Sequence, residues 1–186
     1  MTTSPKLAHV VYRTSQLAAL RDWYCELLNA HVVYEGHGLC FLTNDEEHHR
    51  VALIESSEPL QRKAADAAWV HHAAYTFVTL GDLLARYEEL RDKGVEPAMP
   101  IQHGVTTSIY YEDPDGNFVE LQIDNFATAE EATGYMTGPE FDADPRGPWF
   151  DPGAMLAQLR SGVAVSELIT RTWAVANPYS TAPSTS

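Results

Sequence analysis

At 186 residues the chain has room for one compact domain or two small fused modules, and a hydrophobic content of 45% is that of a globular protein with a core. With 26 acidic against 12 basic side chains, a formal charge of −14 repels phosphate backbones and anionic lipid, which argues against nucleic acid and membrane partners. Residues 1–6 are polar, no apolar run approaches the roughly 18 residues of a membrane span, and the two cysteines, Cys25 and Cys40, read as buried free thiols of a cytoplasmic protein.

A short strand is expected over residues 7–12. Leu17, Leu20, Trp23, Tyr24, Leu27 and Leu28 then recur at helical spacing and predict a helix over 15–28, capped by Thr14 or Ser15. Strands follow at 31–34, 39–42 and 50–54. The order then begins again. A strand at 70–75 precedes a helix at 80–93, with Leu83, Leu84, Tyr87 and Leu90 inward and Gly94 as its stop. Strands are predicted at 95–99, 107–111 and 118–123. The last two flank Asp113-Pro114-Asp115-Gly116-Asn117, where Pro presets a turn angle and Gly-Asn tolerates positive φ.

His9, Tyr12 and Leu17 keep the same offsets as His72, Tyr75 and Leu80. A strand–helix–three-strand unit is therefore written twice, at 5–56 and 68–125, with 57–67 as linker. Beyond residue 125 the texture changes. Residues 126–149 are rich in Gly, Pro and acidic groups and are expected along the surface. Asp151-Pro152 opens a short helix that Gly162 ends, and the Pro, Ser and Thr of 177–186 suggest a mobile end. The expected class is α+β: two βαβββ modules forming a half-barrel-like mixed sheet around a metal cavity within 1–125, followed by a helical C-terminal extension, 126–186.

Of the eight histidines, His9 and His72 occupy equivalent places in the first strand of each repeat. If the two sheets face one cavity, these imidazoles converge, and Glu120 in the final strand of the second repeat completes two His and one carboxylate. Such a triad fills one face of an octahedron and leaves about three positions open, as in non-haem Fe(II) oxygenases. A single strand histidine is most simply a hydrogen-bonded one; the recurrence together with Glu120 is what points to a metal. Aligning Arg50-Val51-Ala52-Leu53 with Phe118-Val119-Glu120-Leu121 sets Ala52 opposite Glu120. Alanine binds no metal, so space remains for a bidentate substrate and a small third ligand such as O2. Asp113-x-Asp115-x-Asn117 imitates a calcium loop, but its sixth position is Phe118 where Gly is required. His31 and His37 read as solvated, Asp45-Glu46-Glu47 as an exposed acidic turn, and Trp149-Phe150 as packing on the sheet.

The run His103-Gly104 through Ile109-Tyr110-Tyr111, Asp113-Pro114 and Gly116-Asn117 to Glu120 is similar to the carboxy-terminal signature of type I extradiol (catechol-cleaving) dioxygenases. These belong to the vicinal oxygen chelate superfamily, and the chain resembles their short, two-repeat form over residues 5–125. The tail around Asn125-Phe126 and Phe150-Asp151-Pro152 resembles that of short biphenyl-diol dioxygenase homologues. The resemblance implies Fe(II) held by His9, His72 and Glu120. It further implies His49, from His48-His49-Arg50-Val51-Ala52, as the acid/base residue, Tyr110 as hydrogen-bond donor to the substrate, and His103 as a third catalytic position. It also implies a catechol and O2 as substrates, a muconic-semialdehyde-type product, and association into a homo-oligomer. Two other readings stay open at this point: a glyoxalase-like lyase or isomerase with another divalent metal, and a non-enzymatic small-molecule sequestration protein.

Overall fold

The computed structural model describes residues 4–61, 68 and 70–180. The expected linker positions 62–67 and the chain end at 181–186 lie outside them. Contacts divide the molecule into two units, Met1–His71 with Asp113–Asn117, and His72–Glu112 with Phe118–Ser186.

In the first unit β1 (Val10–Thr14), α1 (Leu17–Leu28), β2 (His31–Gly36), β3 (Leu39–Thr43) and β4 (Val51–Glu55) form a sheet ordered β1-β4-β3-β2. The neighbours β1 and β4 run parallel, because a helix returns the chain to the same end. Leu20, Tyr24, Leu27 and Leu28 of α1 are buried, as are Cys40, Leu42, Val51 and Leu53, which alternate onto one face of the sheet. Cys25 sits beside that stripe and is only half-buried, so of the two expected buried thiols Cys40 alone is fully enclosed. The cap of α1 is Gln16 rather than Thr14 or Ser15. The Thr14 hydroxyl instead accepts the Gln16 N–H at 2.9 Å, which ends the strand just before the helix begins.

The Asp113–Asn117 turn belongs to this unit. Asp113 Oδ1 accepts the backbone N–H groups of Asp115 and Asn117 at 2.9 and 2.8 Å, and Tyr24 donates to Oδ2 at 3.2 Å. The Asp113 oxygens are thus occupied in fastening the turn, and burial raises the acid's pKa despite these bonds.

The second unit repeats the plan. Its elements are β5 (His72–Thr76), α2 (Leu80–Asp92), β6 (Met99–Gln102), β7 (Thr106–Glu112) and β8 (Phe118–Asp124), in the order β5-β8-β7-β6. Thr79 caps α2 by accepting the Asp82 N–H, and Gly94 takes φ +78 just past its end. Leu80, Leu83, Leu84, Tyr87 and Leu90 are buried, as are Ile109, Tyr111, Val119, Leu121 and Ile123. Strand β6 begins at Met99, not at residue 95. Val95 donates to Leu90 and closes the helix, and Pro97 has no N–H to give a ladder.

The extension is more helical than its composition suggests. It forms α3 (Ala129–Met136), α4 (Pro139–Ala143), α5 (Pro152–Arg160), α6 (Val165–Leu168) and α7 (Arg171–Ala176). Residues of α3 and α4 are not buried, so the expected surface course holds. Asp151 caps α5 as its sequence predicts, and Gly162 follows with φ +93. Phe150 is fully buried, in agreement with packing on the sheet. Gln102 donates to Pro148 O, Phe150 donates to Pro100 O, and Ile101 bridges Trp149. The edge of β6 is thereby covered by the chain's own extension.

Candidate functional site

The ladders fix which residues correspond between the sheets. Ala52 on β4 pairs with Val11 of β1 and Phe41 of β3. Glu120 on β8 pairs with Ala74 of β5 and Tyr110 of β7. His72 opens β5 two residues before Ala74 and so shares its face, whereas His9 stands two residues before Val11 and just ahead of β1, which begins at Val10. The equivalence of Ala52 with Glu120 therefore holds in the register, and His9 keeps the sequence offset of His72 one residue ahead of its strand. One column reads His9, Ala52, Phe41; the other reads His72, Glu120, Tyr110.

In the second unit the polar column is connected. His72 Nε2 lies 2.9 Å from Glu120 Oε2, and Glu120 is 4% exposed. The His72 and Tyr110 rings meet edge-on at 5.1 Å. The Tyr110 hydroxyl is within hydrogen-bonding reach of Glu120 and 3.0 Å from His103 Nε2, and its single proton serves one of these acceptors at a time. Burial above all, then the charge of Glu120, raises the Tyr110 pKa, so the phenol keeps its proton. Its neighbour Tyr111 points the other way, into the core. The His103 pKa is lowered chiefly by burial, although the ring also donates to the Arg146 carbonyl. A neutral His103 that donates one ring nitrogen to a carbonyl offers the other as an acceptor.

The first unit holds a different cluster. His49 stacks on Phe41 at 4.8 Å and lies 4.4 Å from the His9 ring. His48 Nδ1 and His49 Nδ1 are 2.6 Å apart, so one must donate and the other accept. Burial, then the neighbouring His9 and His48, lowers the His49 pKa and holds it neutral. Arg50 anchors the segment before His9 by donating to Leu7 O and Ala8 O, each at 3.1 Å, and to Asp45 at 2.8 Å. Around this cluster the open sheet face is apolar: Val11 is 47% exposed, Tyr34 42% and Ile54 40%. His31 and His37 are exposed, as their places in the sequence suggest.

Among the described residues no group of three or more His, Cys, Asp or Glu side chains is gathered to hold a metal ion. The structure brings together His72 with Glu120, and His9 with His49. The 2.9 Å between His72 and Glu120 is the distance of a direct hydrogen bond between imidazole and carboxylate. Two donors sharing one ion at roughly 2.1 Å and at right angles would stand about as far apart. An imidazole beside a buried carboxylate is a donor set for Fe, Mn or Zn. Phe41 was missed from the sequence, since only strand register makes it the counterpart of Tyr110. A cavity of about 430 Å³ lined by Gly104, Asn125, Tyr135 and Arg171 lies behind the His103 turn and contains none of the column residues.

Comparison with known proteins adds to this geometry. A family model for the Glyoxalase/Bleomycin resistance protein/Dioxygenase superfamily matches residues 6–121. The chain is 61% identical to biphenyl-2,3-diol 1,2-dioxygenase 2 of Rhodococcus globerulus, over 94% of this chain and 92% of that one. It is 56% identical to biphenyl-2,3-diol 1,2-dioxygenase 3 of the same organism, over 94% and 93%. Among solved structures, a genomically encoded fosfomycin resistance protein from Listeria monocytogenes shares the fold. Its TM-score is 0.52 at 21% identity, and the match covers 70% of this chain and 99% of that one.

Proposed function

We propose that this chain, which belongs to the Glyoxalase/Bleomycin resistance protein/Dioxygenase superfamily, is an extradiol dioxygenase that cleaves a catechol beside its diol and inserts both atoms of O2. The substrate class is an aryl-substituted catechol such as 2,3-dihydroxybiphenyl, in keeping with the names of its relatives. The product is of the muconic-semialdehyde type. Residues 1–125 act as the catalytic pair of modules and 126–186 as an extension. The protein works in the cytoplasm as an assembly of identical copies; among the described residues no helix is long and apolar enough to cross a membrane.

What most supports this reading is the column His72–Glu120–Tyr110, set against a counterpart in which Ala52 and Phe41 supply neither charge nor hydroxyl. The metal ligands of the proposal are His72, Glu120 and His9. Fe(II) bound to them would supply Lewis acidity that eases loss of a catechol proton, and a path for electrons from ring to O2. The remaining work falls to side chains. His49, held neutral, accepts a proton from the substrate hydroxyl and returns it when the O–O bond breaks. Tyr110 keeps its proton and donates a hydrogen bond to a substrate oxygen. His103, its Nε2 3.0 Å from the Tyr110 oxygen, holds that phenol in place and is its acceptor only while no substrate oxygen is present.

The test is anaerobic reconstitution with Fe(II), followed by oxygen uptake and appearance of a yellow ring-opened product from 2,3-dihydroxybiphenyl and simpler catechols. Uptake of one O2 per product is expected. Tight Zn or Ni with no oxygen consumption would instead favour a lyase or isomerase. His49→Phe should keep iron and slow turnover; an unchanged rate would remove its acid/base role.

A further inference from the structure

We propose that Arg171, from the C-terminal extension, is the positioning residue that holds the His103 ring in line with Tyr110. This rests on the catalytic reading of His103 above. Arg171 is only 9% exposed, yet no carboxylate is within ion-pairing distance of it among the described residues. Its guanidinium is spent on carbonyls. One terminal nitrogen donates to His103 O at 2.6 Å and the other to Glu140 O at 3.1 Å, while Nε has no partner among the described residues. Burying an uncompensated cation is costly, so a site that keeps one against a backbone oxygen uses it to fix that oxygen.

The neighbouring contacts converge on the same turn. The guanidinium lies over the Tyr135 ring at 5.6 Å. The Tyr135 hydroxyl abuts Gly104, which adopts φ +88, and a Cβ there would collide with it. The Gly147 backbone packs so closely on the Gln102 carbonyl that a Cβ would strike it. The ring of His103 itself donates to the Arg146 carbonyl. On the opposite side Asn125 Nδ2 donates to Gln102 Oε1 at 2.8 Å and to Gly104 O at 2.9 Å. The backbone of the turn is thus held from the sheet by Asn125, whereas the ring and carbonyl of His103 are held from the extension. Among these contacts only Arg171 brings charge-assisted bonds, which are shorter and stronger than neutral ones.

The test is a double-mutant cycle in the full-length, iron-loaded protein. Arg171→Ala should lower kcat on 2,3-dihydroxybiphenyl roughly 10-fold with KM unchanged, and Arg171→Lys, which keeps one donor, should recover part of the loss. In a His103→Ala background the Arg171→Ala change should cost nothing further. Should Arg171→Ala prove poorly folded by circular dichroism, Arg171→Lys carries the comparison. ¹⁵N spectra of the His103 ring give a readout that needs no activity: one fixed tautomer in the parent, averaged nitrogens once Arg171 is lost. Equal losses with and without His103, a rise in KM alone, or an unaltered His103 spectrum would overturn the proposal. If His103→Ala left ring cleavage intact while Arg171→Ala still altered the spectrum, the catalytic reading of His103 would fall and the positioning contact would stand.

Discussion

The two sheets share a plan and differ in what they present. At matched register the first offers His9, Ala52 and Phe41, and the second His72, Glu120 and Tyr110. A repeat that keeps its imidazole while exchanging a carboxylate for a methyl and a phenol for a phenyl presents different chemistry on its two sheets. The second sheet supplies the anion and the hydroxyl. The first supplies an aromatic platform on which His49 stacks, with an apolar surround of Val11, Ile54 and Tyr34. The edges differ as well. Strand β6 is covered by residues 148–150, whereas β2 is exposed along nearly its whole length and is interrupted between Val32 and Tyr34 by a register shift. Covering and bulging are two ways of blunting an edge.

The sharpest way to break the contrast is Glu120→Ala, which makes the second column resemble the first. Metal analysis and oxygen uptake should show iron and ring cleavage lost together, beyond the roughly 10–100-fold expected of a residue that merely supports a ligand. The reverse change, Ala52→Glu, should add no activity, because Phe41 beside it still offers no hydroxyl. Oxygen uptake by the variant will check this.

Next in size is the covered edge. Phe150→Ala should cost about 3–5 kcal/mol in chemical denaturation, since this side chain is fully buried beneath the segment that seals β6. Val33→Thr on the open edge of β2 should stay within about 0.5 kcal/mol. Equal effects would mean that the two edges are not different in kind.

Tyr110→Phe copies Phe41 into the second column. It should retain iron and reduce kcat about 10–100-fold, and Phe41→Tyr should alter kcat far less. Steady-state kinetics with metal analysis decides.

The smallest effect is a pH dependence shared by both sheets. His49 and His103 have folded pKa values below the ordinary histidine value. Unfolding therefore takes up protons, so their contribution to stability is complete above about pH 6.5 and is lost as pH falls toward the lowered values. Melting of the metal-free protein should weaken through that window, and the slope should flatten in His49→Phe and in His103→Gln.

Much of this was legible in the chain. The repeated offsets of His9 and His72 located the sheets, and the Asp-Pro-Asp-Gly-Asn turn fixed the strands on either side of it. Aligning Ala52 with Glu120 located the asymmetry. Phe41 was not legible, because its match with Tyr110 depends on which residues pair across strands. Strand β6 was expected too early because apolar content at 95–99 outweighed the missing N–H of Pro97. The helices of 126–149 were missed although Thr128-Ala129-Glu130-Glu131 is a capping box, with the Glu131 N–H donating to Thr128 Oγ1 at 3.2 Å. Arg171 carried no local signal at all, since a guanidinium that binds carbonyls distant in sequence leaves no pattern around it.

The two glycines beside His103 set different evolutionary fates for that turn. At position 104 the obstacle is the tip of Tyr135, which another mutation could shorten, so a side chain can arrive there only in second place and must still tolerate a positive φ. At position 147 the obstacle is main chain, and no change of neighbouring side chain clears it. Descendants of this sequence can wander at the first site by ordered pairs of mutations, while the second is closed to drift for as long as the extension lies where it does.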